Sequence, residues 1–369
     1  MRVLIAAGGT GGHIFPGLAI AFYLKENIPD VRVLWVGGNR DTDSKVLSSH
    51  GLQFTSISMQ SWPRKFSAKQ IGFAWNLTLS FFQIFFVLIR FRPHVVVGMG
   101  SYHSFPTVIL SYFLGIKSLI CEQNVNLSLT NRFLARFASR IAISFPQTKK
   151  FLPSSEIDKI YLMGNPIRPE ILKASKEKAL RTLGLKQGTF TLFFLGGSQG
   201  AHILNRVGTE TINLLKKENR LKNIQLIFIT GRKDLEWVKE CLKLTGVSSL
   251  VREYLSQIQY AYAAADLVIC RSGATTLAEI TGRGLPAILI PYPYATDCHQ
   301  MENARYLEAQ GAAYTISEKD LAAKKLMASI LKLLRNRDLL KRMGRKSKQL
   351  GRPRATEIIV SLIQDLGKN

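Results

Sequence analysis

Short apolar runs alternate with longer stretches of helical periodicity along most of this 369-residue chain. Short runs of Val, Ile, Leu and Phe are typical of strands buried on both faces of a parallel sheet. The pattern predicts an α/β fold with doubly wound parallel sheets, which bind ligands at the carboxyl ends of their strands. The predicted strands are Val3–Ala6, Val31–Val36, Phe54–Ile57, His94–Gly98, Ser118–Cys121, Arg140–Ile143, Ile160–Met163, Thr189–Leu195, Ile224–Ile229, Leu267–Cys270 and Ala287–Ile290, with a short helix at Ser44–Ser49.

The segment 164–169, GNPIRP, interrupts this alternation near the middle of the chain. Its two prolines are incompatible with a helix interior, so we place a domain boundary there. The length also favours two domains over one. We expect a first Rossmann-like domain at 1–164 and a second at 165–351, facing each other across a cleft. A terminal helix at about 352–369 is expected to pack back on the first domain.

A strongly apolar helix is predicted over Ile71–Ile89, with cations on both sides. Its length nearly suits a membrane span. However, polar residues recur at helical spacing, which is typical of an amphipathic helix in or beside an interface. We therefore reject a transmembrane span and keep two alternatives, a membrane-surface helix and a core helix of the first domain. The polar stripe comprises Asn76, Ser80, Gln83 and Arg90, and the flanking cations are Arg64, Lys65, Lys69, Arg90 and Arg92.

The formal net charge of +25 favours anionic partners, namely nucleic acid, nucleotide phosphates or the acidic face of a membrane. Cations are especially dense over Lys332–Arg354, where they would suit a nucleic-acid contact. Apolar residues such as Ile330, Leu340 and Met343 run through the same stretch. Amphipathic surface helices with lysine-rich outer faces are therefore the favoured interpretation of this segment.

Nothing in the cysteine or acidic residue pattern favours a metal site or an exported protein. The cysteines Cys121, Cys241, Cys270 and Cys298 lack Cys-x-x-Cys spacing, so we expect reduced thiols in an intracellular protein. Asp41-Thr42-Asp43 precedes the predicted helix at Ser44, which favours helix capping over metal binding. We expect no metal, no cofactor and no signal peptide, since Met1-Arg2 leads directly into the first strand.

The first glycine loop, GGTGGH at 8–13, follows a predicted strand and precedes a helix in whose first turn we place Pro16. Glycines let a backbone approach a ligand, and the N–H groups at a helix N-terminus bind anions. The imidazole of His13 can move a proton near neutral pH. Ile14 occupies the place of the third glycine of a dinucleotide fingerprint, and no lysine of a P-loop follows. A second loop, Gly196–Ala201, repeats this design in the second half.

The segment Cys270–Glu279 places a serine-glycine turn between a predicted strand and a predicted helix. The first turn of that helix suits a diphosphate, and Glu279 lies where a carboxylate can accept hydrogen bonds from a ribose diol. A helix-stabilising acid is the alternative role for Glu279. Farther on, Gln300 and Asn303 carry amides that suit sugar hydroxyls, with ordinary surface amides as the alternative.

Taken together, these motifs resemble those of the GT-B glycosyltransferases, and of glycosyltransferase family 28 in particular. The matching segments occur in the family's order across the whole chain. They are GGTGGHIFPGLA at 8–19, GMGSY at 98–102, EQN at 122–124, LTNR at 129–132, GNPIR at 164–168, GGSQGA at 196–201, CRSGATTLAE at 270–279 and HQMENA at 299–304.

The resemblance implies inverting, metal-independent transfer of N-acetylglucosamine from UDP-N-acetylglucosamine (UDP-GlcNAc). The implied acceptor is the C4 hydroxyl of undecaprenyl-pyrophosphoryl-N-acetylmuramyl-pentapeptide (lipid I), which gives lipid II in peptidoglycan synthesis. An enzyme of this kind would lie peripherally on the anionic cytoplasmic face of the bacterial cell membrane. It would use the basic-flanked helix for docking and have no nucleic-acid partner.

Residue roles carried over from the family divide between acceptor and donor. His13 is implied as the general base that deprotonates the acceptor. Glu279 is implied on the ribose, Leu255 at the uracil pocket, and Gln300 with Asn303 at the sugar hydroxyls. The residues implied in contact with the sugar nucleotide are Thr10, Gly11, Gly12, Asn124, Arg168, Ser198, Leu255, Ala274, Thr275, Thr276, Leu277, Ala278, Glu279, Gln300 and Asn303.

Three positions depart from the family's usual pattern, all in loops of the first half. They are the Ser101–Phe105 run, Cys121 in place of a histidine, and Ser128 in place of a glycine. The alternatives to the implied activity are a related transferase that glycosylates diacylglycerol and, from another class, a basic nucleic-acid-binding protein. Paired glycine loops have no role in the latter, and salt-sensitive DNA or RNA binding would favour it.

Overall fold

The chain forms two compact α/β units in a computed structural model that describes residues 1–9, 11–38, 51–59, 69–197 and 200–368. The first unit comprises Met1–Ile167 together with Arg354–Asn369, and the second comprises Arg168–Pro353. The predicted helix at Ser44–Ser49 and the Asp41–Asp43 segment lie outside the described residues.

A seven-stranded parallel sheet forms the centre of the first unit, in the order β3-β2-β1-β4-β5-β6-β7. Helices on both faces bury strands that are apolar on both sides, such as β1 and β4. The strands are β1 Arg2–Ala6, β2 Arg32–Gly37, β3 Gln53–Ser56, β4 Val95–Gly98, β5 Lys117–Glu122, β6 Arg140–Ile143 and β7 Ile160–Leu162, and the helices before the second unit are α1 Gly11–Asn27, α2 Lys69–Phe91, α3 Ser104–Phe113 and α4 Leu129–Leu134.

The second unit is built on a six-stranded parallel sheet in the order β10-β9-β8-β11-β12-β13. Its strands are β8 Phe190–Leu195, β9 Ile224–Ile229, β10 Ser248–Arg252, β11 Leu267–Cys270, β12 Ala287–Leu289 and β13 Ala313–Thr315. Its helices are α5 Pro169–Lys173, α6 Lys176–Leu183, α7 His202–Lys217, α8 Leu235–Lys243, α9 Ile258–Ala264, α10 Ala274–Arg283, α11 His299–Ala309, α12 Ala323–Arg335 and α13 Arg337–Leu350.

The last helix, α14 (Ala355–Lys368), belongs to the first unit. Ile359 and Ile363 share a core cluster with Leu18 and Leu24 of α1. At the start of α14, the hydroxyl of Thr356 accepts from the backbone N–H of Ile167 at 3.2 Å and donates to its carbonyl at 3.1 Å. The chain thus returns to its first unit after completing the second.

Every predicted strand is present, with ends that agree within one residue. The strands that the sequence did not indicate are β10 and β13, which are the two edges of the second sheet. Edge strands are short and partly exposed, as in β10 where only Val251 is buried, so their apolar signal is weak. The parallel, doubly wound architecture is confirmed within each unit.

The prediction that Pro16 lies in the first turn of α1 is wrong. The helix begins at Gly11, so Pro16 lies inside it, and His13 belongs to the first turn instead. Proline lacks the backbone N–H that would donate to the carbonyl of the residue four positions earlier, which here is Gly12 at the start of the helix. Only this one hydrogen bond of the helix is lost. The ring is buried among the apolar residues of α1, which offsets part of that loss.

Helix α2 is amphipathic, but part of its polar stripe faces inward. Ser80 is fully buried, and Oε1 of Gln83 accepts from the backbone N–H of Ser58 at 2.8 Å. Apolar side chains occupy the outer face, where Trp75 is 70% and Phe86 68% exposed. By length and composition alone Gly72–Phe91 could cross a membrane, and 22% of it is buried in the first unit.

The basic segment near the C-terminus forms the amphipathic helices α12 and α13. Ile330, Leu340 and Met343 are buried in the core of the second unit, as the periodicity predicts. Many of the cations lie on the outer surface of these helices.

Candidate functional site

The first glycine loop is held tightly against neighbouring strands of the first unit. Its turn uses Gly9 at φ +90°, which strongly favours glycine. The indole N–H of Trp35 on β2 donates to the carbonyl of Ala7 at 3.0 Å, and it anchors the chain just before the turn. A Cβ on Gly17 would lie 2.7 Å from the ring of Trp35, so this glycine lets α1 approach the sheet.

His13 is half-buried in the first turn of α1, at the carboxyl end of β1. Gly12 is exposed and Gly11 half-buried beside it, while Thr10 lies outside the described residues. The structure therefore places an accessible imidazole where backbone N–H groups of a helix N-terminus also point. That combination can bind an anion and accept a proton.

Glu122 organises the loop that follows β5. Its Oε2 accepts from the backbone N–H of Ser128 and from Nδ2 of Asn131, both at 2.9 Å. Its Oε1 accepts from the backbone N–H of Asn124 at 3.1 Å and from its Nδ2 at 3.3 Å. The sequence reasoning missed this role, although the signal was present in an acid directly after a buried strand. The carboxylate orients the amide of Asn124, the predicted donor contact.

Two departures from the family's pattern have a local explanation. Burial, helped by the charge of Glu122, raises the pKa of the Cys121 thiol to about 12, so Cys121 stays a neutral core residue. Only its carbonyl enters the loop network, where it accepts from Nδ2 of Asn131 at 3.0 Å. Ser128 caps α4, because its hydroxyl accepts from the backbone N–H of Asn131 at 3.2 Å.

In the second unit, the loop after β8 packs as closely as the first. A Cβ on Gly200 would lie 2.2 Å from the carbonyl oxygen of Thr230, at the end of β9. Nδ2 of Asn205 in α7 donates to the same carbonyl at 2.8 Å and to Asp234 at 2.7 Å. This network fixes the start of α7 relative to the sheet. The predicted donor contact Ser198 lies outside the described residues.

Glu279 and Arg168, both predicted to contact the donor, lie against each other. Nη2 of Arg168 lies 3.1 Å from Oε1 of Glu279, whose side chain is only 7% exposed. The buried Tyr262 hydrogen-bonds Glu279, and burial, reinforced by Glu279, raises the pKa of Tyr262. Arg283 on the same helix as Glu279 donates to the carbonyls of Leu172 and Ala174 at 3.0 and 2.8 Å, which holds α5 against α10. The sequence did not indicate Tyr262.

Helix α10 begins at Ala274, and its preceding residue Gly273 makes no side-chain cap. Such an end can receive a phosphate oxygen. Of the predicted contacts along the helix, Thr275, Thr276 and Ala278 are half-buried, whereas Ala274 and Leu277 are buried. The side chain of Leu277 is only 1% exposed and packs in the core.

Gln300 is oriented by a backbone partner. Its Oε1 accepts from the N–H of Tyr292 at 3.0 Å, so Nε2 is the end of the amide left for a ligand. Asn303 is fully buried, and its Nδ2 donates to the carbonyl of Ser272 at 3.2 Å. The hydroxyl of Ser272 in turn donates to the carbonyl of Gln300 at 2.7 Å. In this structure Asn303 supports the serine-glycine turn, while Gln300 faces outward in part.

Arg271 carries a structural role that the motif did not reveal. It donates to the carbonyls of Ile290 and Pro291 at 3.1 and 3.3 Å and pairs with Glu318 at 2.5 Å. These contacts join the turns that follow β11, β12 and β13.

Leu255 lies half-buried after β10, apart in sequence from the other predicted contacts. No group of three His, Cys, Asp or Glu residues that could hold a metal occurs among the described residues.

The fold resembles that of a solved glycosyltransferase over its full length. The crystal structure of Acinetobacter baumannii MurG superposes with a TM-score of 0.77 and 27% identity, and 99% of each chain is covered. Two parallel α/β domains, each with a glycine loop at the carboxyl edge of its sheet, define a GT-B glycosyltransferase.

The family follows from comparison of the sequence. Residues 3–143 match the glycosyltransferase family 28 N-terminal domain, and residues 191–359 match its C-terminal domain. The chain is 37% identical to the UDP-N-acetylglucosamine–N-acetylmuramyl-(pentapeptide) pyrophosphoryl-undecaprenol N-acetylglucosamine transferase of Desulforamulus reducens, with 99% of both chains covered. The similarly named protein of Desulforudis audaxviator is 39% identical, with 99% of this chain and 98% of that one covered. The chain belongs to glycosyltransferase family 28.

Proposed function

We propose that this protein transfers N-acetylglucosamine from UDP-GlcNAc to the C4 hydroxyl of lipid I, and so forms lipid II in peptidoglycan synthesis. The observation that carries the proposal is the full-length similarity to transferases so named, at 37–39% identity. The resemblance extends to the motifs of both halves and is not limited to a single glycine loop.

The second unit supports a role in binding the donor. A diphosphate fits the uncapped start of α10, where N–H groups and the helix dipole stabilise negative charge. In the proposal, Arg168 contacts the phosphates, Glu279 accepts from the ribose diol, and Nε2 of Gln300 donates to a sugar hydroxyl. Leu255 provides apolar contact for the uracil ring. Since Arg168 already holds Glu279 in place, the carboxylate is oriented before the donor binds.

His13 acts as the general base in the first unit. In the proposed reaction, it takes the proton of the C4 hydroxyl while the oxygen attacks C1 of N-acetylglucosamine. The bond from C1 to the diphosphate oxygen breaks, UDP leaves with the electron pair, and the configuration at C1 is inverted. Stabilisation of UDP by helix N-termini provides a route that requires no metal.

The assay is transfer of labelled N-acetylglucosamine to a short-chain analogue of lipid I, in the presence and absence of EDTA. We expect a product of the lipid II type at comparable rates in both conditions. Transfer to diacylglycerol but not to the muramyl lipid would overturn the proposed acceptor. A strong loss of activity with EDTA, restored by a divalent cation, would overturn the metal-independent mechanism.

The outer surface of the first unit supports peripheral attachment to the anionic cytoplasmic face of the cell membrane. Trp75, Phe82 and Phe86 of α2 are 60–70% exposed, and Phe113 at the end of α3 is 72% exposed. Exposed aromatic side chains of this density favour insertion among lipid headgroups. The same unit also presents cations at its surface. Arg132, Arg136 and Lys150 line an open depression of about 600 Å³, together with Leu129, Phe133, Phe151, Leu152 and Pro153.

Sedimentation with vesicles tests this attachment. The double variant Phe82→Asp/Phe86→Asp is expected to lose binding to vesicles that contain phosphatidylglycerol, because it places charge where the headgroups would contact α2. Leu244→Asp is the matched control, since Leu244 is 76% exposed but lies in the second unit. Equal loss in both variants, or none in either, would contradict docking through α2.

A further inference from the structure

Two adjacent rings from the segment after β4, inclined at 38° to each other, lie against the first glycine loop. The rings of Tyr102 and His103 have centroids 4.2 Å apart, and His103 is fully buried. The segment is fixed to β1 by Ser104, whose hydroxyl donates to the carbonyl of Ala6 at 3.0 Å. The rings thus approach the loop from a neighbouring strand of the same sheet, since β1 pairs with β4.

The contacts are close enough that only glycine fits opposite the imidazole. A Cβ on Gly8 would lie 2.7 Å from both Cε1 and Nδ1 of His103. A Cβ on Gly38, after β2, would lie 2.8 Å from Nε2 of the same ring. Real Cβ atoms do not approach other atoms so closely, so His103 fills the space between the two backbone segments. The ring of Tyr102 similarly contacts Gly9, at 3.4 Å from its Cβ position.

We propose that His103 is a positioning residue, which sets the Gly8–Gly9 turn and through it the imidazole of His13. The turn lies in the short segment that joins β1 to α1, the helix that carries His13, so a shift of the turn is expected to move the start of α1. This inference rests on the proposed role of His13 as the base. It also gives a function to the Ser101–Phe105 run, one of the departures from the family's pattern.

The first test compares His103→Ala with His103→Gln in the transfer assay. We expect His103→Ala to lower kcat by about 10- to 100-fold, because small displacements of a catalytic group have effects of this size. Donor KM is expected to change much less than kcat, since most of the predicted donor contacts lie in the second unit. The acid limb of the kcat profile against pH is expected to move. His103→Gln, which keeps much of the volume, should retain activity within about three-fold.

A size exchange keeps the proposal testable even if His103→Ala unfolds. Gly8 and Gly38 lie outside the left-handed region, so alanine is compatible with the backbone conformation there. The nearest atoms to either Cβ position belong to the imidazole ring, and at Gly8 the backbone N of Gly38 follows at 3.3 Å. Gly8→Ala is expected to lose activity that Gly8→Ala/His103→Ala partly recovers. Ser111→Ala is the control for a buried change in α3, because Ser111 donates only to Thr107 within its own helix.

The outcomes separate the two proposals. No transfer by the wild-type enzyme would overturn the proposed function and, with it, this inference. Normal transfer by the wild type together with an unchanged kcat and pH profile in His103→Ala would overturn the inference alone. The inference would also be overturned if Gly8→Ala/His103→Ala were no more active than Gly8→Ala. An equal loss of activity in Ser111→Ala and His103→Ala would overturn it as well.

Discussion

Replacing Glu279 by glutamine tests both the stability and the donor chemistry of the second unit. The change keeps the size of the side chain and removes its charge, which leaves Arg168 without its carboxylate at 3.1 Å. Removing one partner of a buried ion pair costs about 3–5 kcal/mol. Because 24% of the Arg168 side chain is exposed, water compensates in part, and we expect a loss of about 1–2 kcal/mol. In a unit of this size that is a fall in Tm of about 2–8 °C.

The effect on donor binding is expected to be larger than the effect on folding. A hydrogen bond to a charged group contributes about 1.5–3 kcal/mol. Each 1.4 kcal/mol corresponds to a tenfold change in affinity, so donor KM should rise by about 10- to 100-fold. The chemical step involves other groups, and kcat is expected to change much less.

Initial rates at varied UDP-GlcNAc, together with thermal unfolding, measure both effects. Glu170→Gln is the control, because this exposed carboxylate lies two positions after Arg168 and makes no ion pair in the described part of the chain. A folded Glu279→Gln enzyme with donor KM within two-fold of wild type would refute the ribose contact. An unchanged Tm would refute the energy assigned to the pair with Arg168.

Three further changes test single residues. His13→Ala should lower kcat by about 10²- to 10⁴-fold while calorimetry finds UDP affinity within about three-fold, and near-normal turnover would remove His13 from the base role. Burial raises the pKa of Asp234, but hydrogen bonds from Trp237, Asn205 and His202 outweigh it and hold the pKa below its usual 3.8. The ionised Asp234 therefore stabilises the fold above about pH 4. Asp234→Asn should destabilise the protein at pH 7, by an amount that shrinks as the pH falls below 3.8. A difference in urea unfolding that does not depend on pH would contradict this. Ser128→Ala should lose about 1 kcal/mol of stability and Ser128→Gly only a few tenths, because serine caps α4; equal stability of the two variants would exclude the cap.

The sequence by itself determined the fold class, the order of the strands along the chain and the family. Buried parallel strands are apolar on both faces, so runs such as Val95–Val97 are visible without any knowledge of their neighbours. Glycine loops and the CRSGATTLAE segment are equally local, since each depends on the conformation of a few consecutive residues. The edge strands β10 and β13 of the second sheet were not found, because they bury little and leave a weak pattern.

Only the tertiary structure decided which polar groups meet. The position of Glu122 after a buried strand is visible in the sequence, but the partners of its carboxylate are not. The pairing of Arg168 with Glu279 across 111 positions has no local signal at all. The same holds for Ser80 and Gln83 of α2, which face inward because Ser58 and its neighbours supply partners there. In the first glycine loop, the sequence identified His13 and the need for small residues. The requirement for glycine at Gly8 and Gly38 depends on the ring of His103, which the sheet brings between them from a distant part of the chain.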